Sequence, residues 1–355
     1  MKTIKFGNRQ IGDGQPTFIT YEAGPTHDGL ESAKALISMA AEAGADAIKF
    51  QMFDPDRLVA DRKMLFEYEV LVDRESGRME TVSEPLYDIL CRRTLSVDEW
   101  RECKTHADSN NLAFFSTVGF EEEVQLVEEL GCDSIKIASG DVTHFPLIRS
   151  AARTGLCLQL DTGNSTIGEI ESAVDVIRSQ GNENIIIHHC PSGYPARADG
   201  INLRVIETLK QMFPYPIAFS DHSPGWEMDI AAISLGANLI EKTISQDRTT
   251  RSVEHVMSIE PPHLREFINV IRSIETALGT KRRLMSADES QNRLSVHRSI
   301  HVREDTPAGT RLCDAQLEYR RPGDGLAPSM LDQLGSSIIR TNLPAGHKIM
   351  LIDLD

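Results

Sequence analysis

The segment Ser134-Ile-Lys136-Ile-Ala-Ser139-Gly-Asp141 is a short apolar run that ends in charged and hydroxyl-bearing residues. Seven other segments share this design: Thr17–Glu22, Asp46–Gln51, Ala113–Thr117, Leu156–Thr162, Asn184–His189, Pro216–His222 and Asn238–Thr243. Apolar runs of this length, separated by helix-like segments, are typical of buried parallel strands. Eight of them predict an α/β fold, a (β/α)8 TIM barrel, whose active site lies at the carboxyl ends of the strands.

The segments between the runs carry an apolar stripe with the 3.6-residue period of a helix. The predicted helices are Leu30–Glu42, Val97–Ser109, Glu121–Leu130, Ile167–Ser179, Asn202–Met212, Trp226–Leu235 and Pro262–Leu278. The stretch Asp54–Leu95 is too long and too charged for a simple connection. We expect it to form an excursion over the barrel mouth, with a short helix near Pro85–Arg93.

The composition changes after Gly279. We expect residues 1–279 to form the barrel domain and the polar residues 280–293 to form a linker. Residues 294–355 contain Pro/Gly turns between short β-like runs, which predicts a small, mostly β domain. The runs are Ser295–Val302, Ala315–Tyr319 and Ser337–Arg340, followed by a tail, Lys348–Leu354.

Charge and cysteine content exclude several classes of protein. The formal net charge is −16 at pH 7, which argues against binding to nucleic acid. Six scattered cysteines without a Cys-x-x-Cys pair are typical of a reducing compartment. The chain starts without an apolar run of signal-peptide length, and no stretch approaches the ~20 apolar residues of a membrane helix. We therefore expect a cytoplasmic protein that does not bind membranes.

Lys49 and Lys136 each lie at or near a strand end, where an ammonium group needs a partner. Two lysines on one barrel face suggest an anion with more than one charged group. The alternative is that each lysine pairs with an internal acid such as Glu22, Asp141 or Glu241. Hydroxyl donors at the same height would suit a phosphate and a carboxylate. They are Ser116, Thr117, Ser139 and Thr162.

Asp221-His222 is the best metal candidate, because imidazole is the commonest protein metal ligand and a nearby carboxylate can orient it or bind through water. A structural role for this histidine is an equally open alternative. His188 and His189 must point to opposite faces of their strand. We expect His189 to face the pocket.

These segments together resemble the sialic acid (nonulosonic acid) synthases, which condense phosphoenolpyruvate with an N-acylated amino sugar. The tail, with Arg298-Ser299 and Arg320-Arg321-Pro322-Gly323, resembles the antifreeze-like (SAF) domain of that family. The resembling barrel motifs are Glu22-Ala-Gly-Pro-Thr-His27-Asp-Gly29, Ala45-Asp-Ala-Ile-Lys49-Phe-Gln51, Ser116-Thr117, Lys136-Ile-Ala-Ser139-Gly-Asp141, His189-Cys-Pro-Ser192-Gly-Tyr194-Pro195 and Ser220-Asp221-His222.

The resemblance implies a role for each matching residue. The phosphoenolpyruvate site would consist of Lys49, Lys136, Thr117, Ser139, Thr162 and Ser220. The sugar would contact Gln51, Tyr194, Glu254 and Arg321, and Ser192 would also bind substrate. Glu22 and Asp141 would position substrate and handle protons, so that the catalytic set is Glu22, Asp141, Lys49 and Lys136. His222 would bind a divalent metal, Mn²⁺ or Mg²⁺. Arg321 would reach the barrel of a partner subunit in a domain-swapped homodimer.

The chain departs from the family at several positions. The eighth strand ends Glu241-Lys242-Thr243, where the family usually ends Glu-Lys/Arg-His and gains a second metal ligand. A hydroxyl is a weaker ligand than imidazole. His189, His255 or Glu241 could replace it, or magnesium with more water ligands could be used.

Other departures lie near the expected substrate site. Asp161 stands where the family has a small hydroxyl residue, and Thr26 stands for an asparagine. Ser252-Val253-Glu254-His255 replaces the family's Gly-Pro-Asp-His. The acceptor is therefore expected to be N-acetylmannosamine or a related sugar, such as a 2,4-diacetamido sugar.

The leading hypothesis is an enzyme that makes a nine-carbon, sialic-acid-type 2-keto acid and phosphate for a surface polysaccharide or glycoconjugate. One alternative is a barrel aldolase that forms a Schiff base on Lys49 or Lys136. Another is a non-catalytic, carbohydrate-binding relative, an interpretation that Thr243 keeps open.

Overall fold

Eight parallel strands, each followed by at least one helix, close into a barrel in which neighbours in the chain are neighbours in space. They are Phe18–Glu22, Ala47–Met52, Ala113–Val118, Ser134–Ile137, Cys157–Asp161, Ile185–His189, Ile217–Asp221 and Leu239–Thr243, numbered first to eighth below. The structure is a computed structural model and describes residues 2–355. It confirms the predicted TIM barrel.

Strand register decides which side chains face the barrel interior, because paired residues on neighbouring strands point to the same side. Glu22 pairs with Lys49, and Ser220 pairs with Glu241. The same face continues through other polar pairs: Gln51 with Thr117, Thr117 with Lys136, Asp161 with His188, and Thr243 with Glu22. The interior face therefore gathers the polar residues, while the opposite face packs under the helices.

The amino-terminal end of the barrel is closed by an antiparallel hairpin, Ile4–Phe6 and Arg9–Ile11. Its Ile4, Phe6 and Ile11 are buried in one apolar cluster with interior side chains of the strands. Those side chains are Phe18, Ala47, Phe115, Cys157, Ile186, Ala218 and Leu239. An apolar base thus lies under the polar part of the interior and keeps water out of it.

The helices of the first unit are close to those predicted. They are Leu30–Ala43, Pro55–Leu58, Leu86–Cys91, Val97–Ser109, Glu121–Glu129, Phe145–Arg153, Ile167–Ser179, Ala198–Ile201, Val205–Met212, Glu227–Ser234 and Pro261–Leu278, with short 3-10 turns at Ser139–Asp141 and His255–Met257. Phe145–Arg153 was not predicted. It begins after His144, whose ring accepts a hydrogen bond from the Leu147 amide, and Pro146 lies in its first turn.

The excursion after the second strand carries an antiparallel hairpin, Leu65–Asp73 and Arg78–Pro85, ahead of the short helix Leu86–Cys91. Tyr68 and Val70 of the hairpin pack with Val253, which follows the eighth strand, and with Tyr194, which follows the sixth. The excursion therefore lies at the carboxyl-terminal end of the barrel.

Thr280–Asp355 form a second compact unit. Its elements are the helix Ala287–Val296, the antiparallel strands Ser299–Val302 and Leu317–Arg320, the short helix Leu331–Leu334, and 3-10 turns at Leu312–Asp314, Pro328–Met330 and Leu351–Asp353. The helix begins within residues 280–293, the stretch that is expected to form a linker. Ser286 and Glu289 form a reciprocal capping box that starts it. The predicted run Ser337–Arg340 makes only isolated bridges. Across residues 2–355, none of the helices combines the length and the apolar character that a membrane span requires.

Candidate active site

A cavity of about 270 Å³ lies at the carboxyl ends of the strands. Every barrel strand, or the loop directly after it, contributes to its wall. The lining residues are Glu22, Lys49, Gln51, Thr117, Ala138, Ser139, Gly140, Asp161, Asn164, Cys190, Ser192, Tyr194, His222, Glu241 and Glu254. Most of the predicted site residues of the barrel are therefore brought together here.

The floor of the cavity is a chain of buried ion pairs. Lys136 Nζ lies 2.7 Å from both Glu241 carboxylate oxygens and 3.0 Å from Asp161 Oδ1. Lys49 Nζ lies 2.9 Å from Glu241 Oε1 and also contacts the Glu22 carboxylate. Both lysines pair with internal acids, as the alternative interpretation expected, although Asp161 and not Asp141 is the third acid.

The ion pairs favour the charged forms of Lys49 and Glu241 in this floor. Burial alone would lower the pKa of Lys49, but Glu22 and Glu241 outweigh it and raise that pKa well above its usual value. Burial would likewise raise the pKa of Glu241, but Lys136 and Lys49 hold it far below its usual value. A Schiff-base lysine needs a depressed pKa. This environment therefore does not favour Lys49 as the nucleophile of an aldolase.

His188, not His189, faces the interior. Its Nδ1 lies 2.9 Å from Ser220 Oγ and its Nε2 lies 2.8 Å from Gln159 Oε1. His189 is on the outer face, where its Nε2 lies 2.6 Å from the Ile201 carbonyl oxygen. The prediction for His189 is wrong. Alternation along a strand shows that neighbouring side chains point to opposite faces, but it does not show which of them points inward. Burial, reinforced by the charge of Lys136, lowers the pKa of His188 to about 3, so its ring is neutral.

His222 lines the cavity. Its Nδ1 lies 3.2 Å from the Pro191 carbonyl oxygen. Asp221 points outward to Lys242 and Ser223, and so it does not orient His222. Of the suggested replacements, His189 faces outward, Glu241 is held by both lysines, and His255 is bound to Ser245 with Nδ1 2.6 Å from Oγ. Among residues 2–355, no three His, Cys, Asp or Glu side chains come together as a metal site. The donor set does not fit a divalent cation.

Five predicted residues do not line the cavity wall. Ser220 and Lys136 lie in the buried floor, where Lys136 Nζ donates to Ser220 Oγ at 3.0 Å. Thr162 Oγ1 donates to the His188 carbonyl oxygen at 2.7 Å. Asp141 ends the 3-10 turn after the fourth strand and does not line the cavity. Arg321 belongs to the second unit.

Comparisons with known proteins show the family of this chain. The NeuB family profile matches residues 36–283. The chain is 32% identical to N,N'-diacetyllegionaminic acid synthase of Legionella pneumophila, over 97% of this chain and 96% of that protein. The chain belongs to the NeuB family. It is also 29% identical to the human N-acetylneuraminate-9-phosphate synthase, over 86% of this chain and 83% of that protein.

A solved structure of this family has the same architecture. It is the N-acetylneuraminic acid (sialic acid) synthetase of Leptospira borgpetersenii, determined in complex with citrate. The TM-score is 0.71 at 30% identity, over 82% of this chain and 95% of that one.

Glu254 holds an unusual position in this NeuB-family protein. Its backbone φ is 71°, in the left-handed region that non-glycine residues seldom adopt. Its Oε2 accepts a hydrogen bond from Thr243 Oγ1 at 3.0 Å. Burial, reinforced by the charge of Glu22, raises the pKa of Glu254 to about 8. The carboxyl group therefore carries a proton at neutral pH.

Sequence reasoning missed four residues of the site. Asn164 and Cys190 line the cavity, and Gln159 and His188 lie in the floor beneath it. Parity supplied a usable signal for one of them, because Gln159 lies two residues before Asp161 on the same strand and so faces the same side. The inward facing of His188 follows only from its pairing with Asp161 on the neighbouring strand.

We predict that Glu254→Gln changes how stability depends on pH. The folded protein holds the Glu254 proton up to about pH 8, whereas the ordinary pKa is 4.5. The contribution of this group to the free energy of unfolding is therefore complete below pH 4.5 and is lost as the pH rises to about 8. Glutamine cannot ionise, so the free energy of unfolding of the variant should rise relative to that of the wild type through this pH window. The difference should reach at least about 2 kcal/mol at the upper end of the window.

Urea unfolding of both proteins at a series of pH values measures this difference. Glu31→Gln is the control, since the Glu31 side chain is 89% exposed, and its curve should run parallel to that of the wild type. A constant offset between Glu254→Gln and the wild type would contradict the raised pKa.

Proposed function

We propose that this protein condenses phosphoenolpyruvate with an N-acylated amino sugar, N-acetylmannosamine or a related 2,4-diacetamido sugar. The products would be a nine-carbon, sialic-acid-type 2-keto acid and phosphate, for a surface polysaccharide or glycoconjugate. Membership of the NeuB family and the names of its relatives support this reaction. The observation that carries the proposal is the cavity itself, which is lined by Lys49, Thr117, Ser139 and Ser192 and by Glu241, the partner of the buried Lys136.

The anionic substrate would lie on the lysine-bearing floor. Lys49 Nζ, together with the hydroxyls of Thr117 and Ser139, can donate to phosphate and carboxylate oxygens. Carbon C3 of phosphoenolpyruvate attacks the aldehyde carbon of the sugar, and water adds at C2. Phosphate then leaves by cleavage of its C–O bond. The floor would hold the reactants at fixed distance and orientation, which is a large part of the acceleration of a bimolecular step.

Acids that line the cavity would handle the protons. Burial, with a further contribution from the Glu241 charge, raises the pKa of Glu22 even though Lys49 opposes this. Glu22 and Glu254 both line the cavity, whereas Asp141 does not. We therefore assign proton transfer at the aldehyde oxygen and the attacking water to Glu22 and Glu254 rather than to Asp141. Gln51 and Tyr194 would position the sugar.

The remaining parts of the proposal rest on the resemblance alone. We propose that residues 294–355 form a SAF domain after a partly helical linker. Arg321 would reach the sugar in the barrel of a partner subunit, in a domain-swapped homodimer. The cytoplasm would supply both substrates.

An assay of phosphate release tests the reaction. The protein with phosphoenolpyruvate and Mn²⁺ or Mg²⁺ should release phosphate only when an N-acyl hexosamine is added, and mass spectrometry should detect the nine-carbon acid. Lys49→Met should abolish release, because the floor loses a cation that faces the cavity. Phosphate release at the same rate without any sugar, or none with a full panel of acceptors, would refute the proposal.

Asp161 should weaken the binding of phosphoenolpyruvate. It lines the cavity 3.0 Å from Lys136 and adds a third carboxylate to a floor with two lysines. We predict that Asp161→Asn lowers the KM for phosphoenolpyruvate by about threefold to tenfold, since it removes a like charge from the anion site. Steady-state kinetics at fixed sugar concentration measures this, with the exposed Glu171→Gln as the control. A higher KM in Asp161→Asn would show that the carboxylate helps substrate binding.

A divalent metal, when bound, would polarise the sugar aldehyde as a Lewis acid. His222 alone does not fit such an ion, and so no step above depends on one. Lys242 and Asp221 are paired across the eighth and seventh strands. Thr243 directly follows Lys242, and His222 directly follows Asp221. Thr243→His would therefore place a second imidazole on the strand next to His222. We predict that this variant binds Mn²⁺ at least about tenfold more tightly than the wild type.

Calorimetric titration with MnCl₂ measures the affinity. Thr243→Val is the matched control, because it removes the hydrogen bond to Glu254 without adding a ligand. Equal Mn²⁺ affinity in Thr243→His and Thr243→Val would refute the prediction.

A further inference from the structure

A second pocket, of about 180 Å³, adjoins the cavity, and Gln51, Tyr194 and Glu254 line both. We call it the excursion pocket, because most of its other wall comes from the excursion after the second strand. Its remaining lining residues are Pro25, Phe53, Phe66, Leu86, Ile89, Leu90, Arg93 and Val253. The wall is mostly apolar, and the volume of the pocket suits a substituent of a few heavy atoms on a sugar held in the cavity.

Arg93 is the only cationic side chain of this wall within the described residues 2–355. It is 5% exposed, and its guanidinium donates to the His27 carbonyl oxygen and to Ser252 Oγ, the latter at 2.7 Å. Its Nε has no partner. None of the ion pairs within residues 2–355 includes Arg93. A buried arginine usually has a carboxylate partner, because losing water without gaining an anion is costly.

Burial and neighbouring charges shift the pKa values of Arg93 and of the histidines around it, and Asp28 opposes part of the shift of Arg93. Burial lowers the pKa of Arg93 itself to about 10. Burial, reinforced by the charge of Arg93, lowers the pKa of His27 and of His255 to about 4. Both imidazoles are therefore neutral and do not compete with Arg93 for an anion.

A purely structural role would not require the charge. Arg93 ties the His27 backbone to Ser252, and this contact joins the loop after the first strand to the segment that carries Glu254. Two neutral acceptors would be served equally well by a neutral amide donor. The positive charge and the unused Nε remain unexplained by this contact.

We propose that the excursion pocket binds an anionic substituent of the acceptor sugar, with Arg93 as its counter-ion. This rests on the proposed function, because it places the sugar in the cavity next to Gln51 and Tyr194. The anionic group is a phosphate ester or the carboxylate of an acyl chain, both of which a guanidinium binds through paired hydrogen bonds. The apolar walls formed by Phe66, Leu86 and Ile89 exclude water and strengthen that ion pair.

Direct titration of sugars, without phosphoenolpyruvate, tests the pocket separately from the reaction. The probes are N-acetylmannosamine, its 6-phosphate, and N-succinylmannosamine, which carries a carboxylate at the end of its acyl chain. We expect one of the two anionic probes to bind about tenfold or more tightly than the neutral sugar, as a charge-assisted hydrogen bond implies. The probe that binds more tightly than the neutral sugar shows whether the anion is a phosphate or an acyl carboxylate.

Arg93→Gln should remove this preference and leave the affinity for N-acetylmannosamine within about twofold. Ser252→Ala is the matched control, because it deletes one contact of Arg93 and keeps the charge, so it should keep the preference. Thermal unfolding verifies that both variants are folded. If Arg93→Gln is unfolded, Arg93→Lys replaces it and should keep part of the preference.

Equal affinity of the wild type for neutral and anionic sugars would overturn the proposal, as would a preference that persists in folded Arg93→Gln. Phosphate release is measured in parallel with the same sugars. An anion preference that depends on Arg93, found without any phosphate release, would support the pocket and refute the proposed reaction.

Discussion

The architecture depends on a chain of ion pairs inside the barrel, in which Glu241 accepts from Lys49 on one side and from Lys136 on the other. Glu22 and Asp161 extend the chain at its two ends. Removing one partner of a buried pair leaves an uncompensated charge and typically costs about 3–5 kcal/mol. The five side chains come from five different strands, and so this network also fixes how those strands are placed around the interior.

The surrounding structure shields this network on the sides that face away from the cavity. Below it, the amino-terminal hairpin inserts Phe6 against Phe18 and Phe115, with ring centroids 4.7 and 5.4 Å apart. On the other face of the seventh and eighth strands lies a second charge cluster, in which Lys242 contacts Asp221 and lies 3.4 Å from Asp229. The strict alternation of a strand separates the two clusters, so that Lys242 and Glu241 are adjacent in the chain and act in different environments.

Much of the fold followed from the sequence, because strand tips and helical periods are local signals. The helix Val97–Ser109 matched residue for residue. What failed depends on contacts that are distant in the chain. His188 and His189 are both buried, and only the pairing of His188 with Asp161 decides which one faces inward. Asp161 was recognised as unusual, but its ion pair with Lys136 was not. Arg93 gave no signal, because a charged residue in a polar excursion looks exposed until the excursion folds back.

Two departures from the family pattern form one local change. Thr243, at the end of the eighth strand, donates its hydroxyl hydrogen to Glu254, the residue with the left-handed backbone in the altered segment 252–255. A cation held near His222 and Thr243 would favour the ionised carboxylate of Glu254 and lower its pKa. Burial and Glu22 do the opposite, and they keep that carboxyl group protonated at neutral pH. A proton on Glu254 and a cation held near it are therefore alternative ways to offset the negative charge of that carboxylate.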